Sequence, residues 1–294
     1  MKLRGKRFLL LAPCVLVLAL TVGAGSASAW APESSATIHP GVMTFTNASS
    51  FLGGASQCTA NFVFTDASGN VYLGQAAHCS STGEDTETNG CSTKSLPLGT
   101  KIYSGDIVNG GVNEGTLIGT LAYNSWLAMQ KAGEKDPATC AYNDLALIKI
   151  AANQVKNVNP TVPFWGGPNG LASSLAAQGS QIYTYGNSIL RLGISVLSPK
   201  TGVSLGESEE SDGWSQQLYT VTPGIPGDSG SGFMDSSGNA LGVLSTVEFA
   251  PTPASNGVGS LSKELAYANS ATGLGLEVAK GTTAFKSVPV PPAE

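Results

Sequence analysis

The chain has 294 residues, 41% of them hydrophobic, with 20 Asp and Glu against 15 Lys and Arg. That length is enough to bury a sizeable core. The net charge of −5 argues against nucleic acid or an anionic membrane as partner, because such a surface repels phosphate.

Lys2, Arg4, Lys6 and Arg7 precede an apolar run over 8–22 and a small-residue Ala27-Ser28-Ala29, a pattern that predicts a secretory signal peptide over 1–29. The run holds Pro13 and Cys14 and is shorter than the roughly 20 residues of a spanning helix, which disfavours an anchor. No later stretch would span a membrane. Residues 30–294 carry eleven basic and twenty acidic side chains, a charge of −9.

Residues 30–50 are rich in Ser, Thr, Ala and Pro without a sustained period, and either a short propeptide or an ordered arm fits them. From residue 51, short apolar or alternating runs punctuated by Gly, Asn, Asp and Ser predict an all-β fold. Residues 58–64 and 71–74 flank Thr65-Asp66-Ala67-Ser68-Gly69-Asn70 as a hairpin, with His78 at its exit. Cys58, Cys79, Cys91 and Cys140 remain after the signal, an even count that predicts two disulfides with three pairings open. No Cys-x-x-Cys or paired Cys/His spacing points to zinc. Glu84, Asp85 and Glu87 lack the alternating ligand spacing of a calcium loop and read as a solvated turn, so no metal or cofactor is expected. Residues 125–131 predict a helix, and Leu145–Ile150 a strand buried on both faces with Asp144 at its start.

Further on, Gln181–Tyr185, 218–221, Gly232–Met234 and 240–244 predict strands, the last two joined by a turn at Asp235-Ser236-Ser237-Gly238-Asn239. Glu207, Glu209, Glu210 and Asp212 read as exposed loop, 261–268 as a helix, and the Pro-rich end from 289 as frayed. No solenoid or propeller period recurs.

The stretch Pro223-Gly224-Ile225-Pro226-Gly227-Asp228-Ser229-Gly230-Ser231-Gly232 presents one serine in a glycine-rich turn. A serine nucleophile needs a base within reach and a third group to orient that base. Of the two histidines, His78 stands in Gly74-Gln75-Ala76-Ala77-His78-Cys79, and Asn143-Asp144-Leu145-Ala146-Leu147 supplies an acid. Each alone has an ordinary structural reading; the three together, in this order, point to nucleophilic catalysis. His39, outside any motif, reads as surface.

These three stretches resemble the bacterial secreted type of the trypsin/chymotrypsin-like serine peptidases, whose motifs are Ala-Ala-His-Cys, Asp-x-Ala-Leu and Gly-Asp-Ser-Gly in that order. The resemblance spans about 51–268. It implies an all-β peptidase domain (51–288) of two antiparallel six-stranded barrels, about 51–155 and 176–260, a C-terminal helix at 261–268 and a tail from 289. By resemblance His78 is general base and acid, Asp144 its orienting partner and Ser229 the nucleophile, with the N–H groups of Gly227 and Ser229 as oxyanion donors. It pairs Cys58 with Cys79, leaving Cys91 with Cys140. It also implies a buried Asp228 needing a cation, for which Arg191, the only arginine after the signal, is the candidate.

The resemblance places Pro223 at the floor of the specificity pocket and Leu244-Ser245-Thr246-Val247 along the substrate-binding edge, with Ser245 near the acid. Proline where trypsin-like members carry aspartate disfavours cleavage after Lys or Arg, and Val247 narrows the entrance, so small or medium apolar residues are expected before the cut. No cysteine follows Cys140, so the pocket disulfide of relatives is absent. The expected product is a secreted, monomeric endopeptidase acting on protein or peptide substrates without cofactor. An α/β-hydrolase is disfavoured, because residue 231 is Ser and no histidine follows Ser229. A secreted non-catalytic β-rich binding protein is the alternative from another class.

Overall fold

The computed structural model describes Met1 and residues 30–83, 88–108, 111–112, 115–248 and 255–287. The expected signal peptide, the acidic Glu84, Asp85 and Glu87, and the tail from 289 lie outside the described residues. In chain order the strands are β1 (Met43–Thr46), β2 (Ser56–Thr59), β3 (Val63–Thr65), β4 (Val71–Ala76), β5 (Lys101–Gly105), β6 (Ile107–Val108), β7 (Gly111–Val112), β8 (Thr116–Asn124) and β9 (Leu145–Ile150). Helices α1 (Ser125–Ala132) and α2 (Pro137–Tyr142) separate the last two. Then come β10 (Gln181–Tyr185), β11 (Pro199–Glu207), β12 (Ser215–Thr220), β13 (Gly232–Met234), β14 (Ala240–Glu248), β15 (Ser255–Ser260), α3 (Leu261–Thr272) and β16 (Glu277–Val278).

The second half is a closed antiparallel barrel, β10-β11-β12-β15-β14-β13. The first half is an eight-stranded sheet, β16-β3-β4-β9-β8-β5-β1-β2. Its two ends meet in one bent segment: the Ala60 N–H bonds the Val42 carbonyl on one side, and the Asn61 N–H bonds the Gly74 carbonyl on the other, both at 2.9 Å. Residues 58–64, expected as a single strand, therefore divide into β2 and β3. Counting them once leaves six strands round the ring, with β16 laid against β3. This is the two-barrel architecture that the resemblance implies, the first barrel completed by a bend rather than by a strand pair.

Local chemistry sets the corners. Asp-x-Ser-Gly-Asn occurs once in each half, and in both the aspartate Oδ1 accepts two backbone N–H groups, from Ser68 and Asn70 at Asp66 and from Ser237 and Asn239 at Asp235. Strand β9, apolar apart from Lys149, is buried along its length except at that lysine, as a strand covered on both faces should be. Between the halves, Phe62, Tyr123, Leu145, Leu147, Trp165, Tyr183, Met234, Val243, Leu261 and Leu265 form one shared cluster. At about 1.5–3 kcal/mol for each large apolar side chain taken out of water, that cluster fixes one half on the other.

Residues 30–42 dock as an arm. Ala31 donates to the Val158 carbonyl at 2.9 Å, Ile38 to that of Asn157 at 3.1 Å, and the Ile38 side chain is buried. His39 is not a surface histidine: it is half-buried, its Nδ1 lies 2.7 Å from the Pro40 carbonyl, and burial holds its imidazole below the ordinary value. It lines a cavity of about 750 Å³ with Glu33, Asp106, Phe164, Tyr185 and Arg191. Glu207, Glu209, Glu210 and Asp212 are exposed. The disulfides join Cys58 to Cys79 and Cys91 to Cys140.

Candidate active site

Asp144 is the residue before β9, delivered by α2, whose start is set by Asp136 accepting the Thr139 N–H at 2.8 Å and by Pro137 in the first turn. Its side chain is almost wholly buried and both oxygens are used. Oδ1 accepts the backbone N–H of His78 at 2.8 Å; Oδ2 lies 2.7 Å from His78 Nδ1 and accepts the Ser245 hydroxyl at 2.5 Å. A carboxylate only accepts, so the proton of this pair sits on Nδ1 and the lone pair on Nε2. His78 leaves β4 on a short 3₁₀ turn, and the bridge from Cys79 to Cys58 ties that turn to β2.

Ser229 comes from the loop between β12 and β13 and is half-buried. Its carbonyl accepts the Thr59 N–H at 2.8 Å, and Gly230 donates to Leu244 at 2.7 Å. At Gly230, with φ +85°, a Cβ would stand 2.7 Å from the Thr59 carbonyl and 2.8 Å from the Ala76 nitrogen. The serine turn thus presses against the ends of β2 and β4, two residues from His78. The Ser229 hydroxyl makes no hydrogen bond among the described residues.

The N–H groups of Asp228, Gly230 and Ser231 all have backbone acceptors, whereas those of Gly227 and Ser229 have none among the described residues. Two unspent donors with one residue between them can meet an oxyanion. Gly227 has φ +94°, and a Cβ there would stand 2.1 Å from Gln57 Oε1; its carbonyl is held by Thr59 Oγ1 at 2.8 Å and Gln57 Nε2 at 3.0 Å.

Asp228 points inward, fully buried. Arg191 Nη2 lies 2.5 Å and Lys200 Nζ 2.6 Å from its Oδ2, and Lys200 also bonds the Pro223 carbonyl at 3.1 Å. Burial, opposed by Asp228 and reinforced by the Arg191 charge, pulls the Lys200 ammonium below its usual value. Lys200 escapes sequence reasoning because Pro199-Lys200-Thr201 looks like solvent-facing strand. Beyond Pro223, the Gly224 N–H donates to Asn256 Oδ1 at 2.8 Å. A Cβ on Gly224 would meet Asn256, Leu244 and Val247 side-chain atoms at 2.9, 3.1 and 3.3 Å. Thr246 and Val247 pair with Gly257 and Asn256 of β15, whereas β13 pairs with β14 only as far as Val243.

Behind Asp144, its own N–H donates to Glu264 Oε1 at 3.0 Å. Glu264 also escapes sequence reasoning, since an acid in the first turn of a helix ordinarily faces solvent and complements the dipole.

No protein-family model and no curated protein matches the chain. Among solved structures it is similar to Thermobifida fusca protease A, with 16% identity, a TM-score of 0.48 and coverage of 83% of this chain and 99% of that one. It is similar to Nocardiopsis protease at 17% identity and a TM-score of 0.44, covering 82% and 98%. It is also similar to Cellulomonas bogoriensis chymotrypsin at 16% identity and a TM-score of 0.45, again covering 82% and 98%.

Proposed function

We propose that the chain is a secreted serine endopeptidase in which His78, Asp144 and Ser229 hydrolyse peptide bonds through an acyl-enzyme. His78 Nε2 takes the Ser229 proton as Oγ attacks the scissile carbonyl carbon, and the carbonyl oxygen, now an anion, is met by the Gly227 and Ser229 N–H groups. His78 returns the proton to the leaving amine as the C–N bond breaks. Water then attacks the ester by the same steps in reverse roles and restores Ser229. The observation that supports this reading is the 2.7 Å contact of His78 Nδ1 with Asp144 Oδ2, together with a serine turn that packs against Ala76, two residues from His78, and carries two backbone donors without an acceptor among the described residues.

The part of β14 beyond β13 offers a free backbone edge to an extended substrate. The Gly224 N–H bonds Asn256 Oδ1 at 2.8 Å, and the Val247 side chain stands close to Gly224, contacts that narrow the space between that edge and the 223–225 wall and support small or medium apolar residues before the cut. Export is supported by the charge and apolar pattern of 1–29 and by the two disulfides, and no helix of the described residues is long and apolar enough to cross a membrane. Cleavage of a peptide library tests the specificity: cuts after small or medium apolar residues are expected, and a preference for Lys, Arg or large aromatics refutes the narrow pocket. The unpartnered Ser229 hydroxyl favours a second reading, a binding protein on the same fold, and a folded protein that cleaves no peptide would select it.

A further inference from the structure

We propose that Glu264 is a positioning residue for the acid of the site: its carboxyl, sealed behind Asp144, fixes the main chain from which Asp144 reaches His78. The inference rests on the peptidase reading above.

Asp144 is gripped from three sides. His78 and Ser245 hold its carboxylate, the Ala77 N–H holds its carbonyl at 2.8 Å, and Glu264 Oε1 takes its N–H. Glu264 is fully buried, and its Oε2 has no hydrogen-bond partner among the described residues. Gly259 of β15 gives it room; a Cβ there would stand 2.5 Å from Oε1. Among the described residues, the groups around it offer no counter-charge. Asp144 stands at the start of β9, and Lys149 at the far end of that strand is exposed. Tyr123 of β8 is buried, and its hydroxyl has no hydrogen-bond partner among the described residues. On α3 itself, Tyr267 reaches Glu134 beyond α1, and Lys263 turns outward to the Asp212 carbonyl and the Trp214 ring. Lys131 of α1 is exposed, and β14 contributes Ser245 to the Asp144 carboxylate.

A charge on Glu264 would therefore be a second buried anion beside Asp144 with no cation to offset it. Burial pushes the carboxyl up to about 8, the Asp144 charge adding to the rise and the Asp144 N–H opposing it. Near neutrality Glu264 keeps its proton and accepts quietly from Asp144. In alkali it ionises, and repulsion between the two carboxylates loosens Asp144 from His78.

The test compares Glu264→Gln, which keeps an acceptor and cannot ionise, and Glu264→Leu, which removes the acceptor, with the unaltered protein. We expect kcat of the unaltered protein to fall with a midpoint near pH 8 while KM holds. In the Gln variant that fall moves at least one pH unit higher, and the Leu variant loses about ten-fold in kcat at pH 7, the equivalent of one hydrogen bond. The NMR titration of His78 Hε1 is read in parallel and needs no turnover: an inflection near pH 8 is expected in the unaltered protein and not in the Gln variant. If the inflection near pH 8 is present in the unaltered protein and absent from the Gln variant but no peptide is cleaved, the positioning role stands and the peptidase reading fails. If peptides are cleaved and the Gln variant matches the unaltered protein in both profiles from pH 7 to about 9.5, the inference is overturned; should the Leu variant not fold, the Gln variant alone decides.

Discussion

Asp228 is held by two cations where one was expected, and their geometry sets how the site should respond to losing either. Arg191 Nη2 and Lys200 Nζ lie 2.5 and 2.6 Å from the same Oδ2, so the two charges are no more than about 5 Å apart. At an effective dielectric of about 20, each attraction to Asp228 is about 6.5 kcal/mol and the cation–cation repulsion about 3 kcal/mol. Arg191→Met or Lys200→Met alone should therefore cost about 3 kcal/mol, the lower edge of the roughly 3–5 kcal/mol lost when a buried pair is broken. The double variant strands the carboxylate, and its loss should exceed the two singles combined by about 3 kcal/mol. Urea unfolding of the four proteins gives the cycle, and the rate of Ser229 phosphonylation reports the turn itself. In an Asp228→Asn background only the repulsion remains, so either substitution should become neutral or stabilising. Additive losses, or a penalty that persists in that background, would refute the shared-carboxylate argument.

Other consequences can be measured in the same preparations. Ser245→Ala removes a donor to a charged carboxylate, worth about 1.5–3 kcal/mol, and should lower kcat by at least about ten-fold with KM steady; an unchanged kcat would count against Asp144 needing that bond. Opening the Cys91–Cys140 bridge, which spans 49 residues, should cost about 4 kcal/mol, and the 21-residue Cys58–Cys79 bridge about 3 kcal/mol, read by urea unfolding of the paired Ser variants. Glu264 also gives stability a pH dependence. The folded state keeps this proton up to about 8 and the unfolded chain releases it near 4.5, so its contribution is best below pH 4.5 and declines as pH rises to about 8. That decline is on the order of 5 kcal/mol, and Glu264→Gln should remove it.

Much of the fold and the site was legible because it was local. The Asp-x-Ser-Gly-Asn turns, the apolar run of β9 and the His78, Asp144 and Ser229 motifs each fit within a few residues. Arg191 was identifiable because no other arginine follows residue 29. Lys200, Glu264 and Asn256 were not, because each looks like surface along its own element and becomes buried only when a distant segment covers it: Asp228 for Lys200, Asp144 for Glu264, the 223–225 wall for Asn256. The bend at 60–62 hid for a similar reason, its two hydrogen bonds running to strands on opposite sides. Helix α2 did leave a signal, Asp136-Pro137, which is a cap with a first-turn proline after it.

The central claim is that Ser229 is a nucleophile activated by His78. A fluorophosphonate incubated with the folded protein at about pH 7.5, with peptide mass spectrometry of the product, asks this directly. The account predicts one label per chain, on Ser229, lost in His78→Ala although that variant stays folded. Labelling that spares Ser229, or that proceeds equally well without His78, would contradict it.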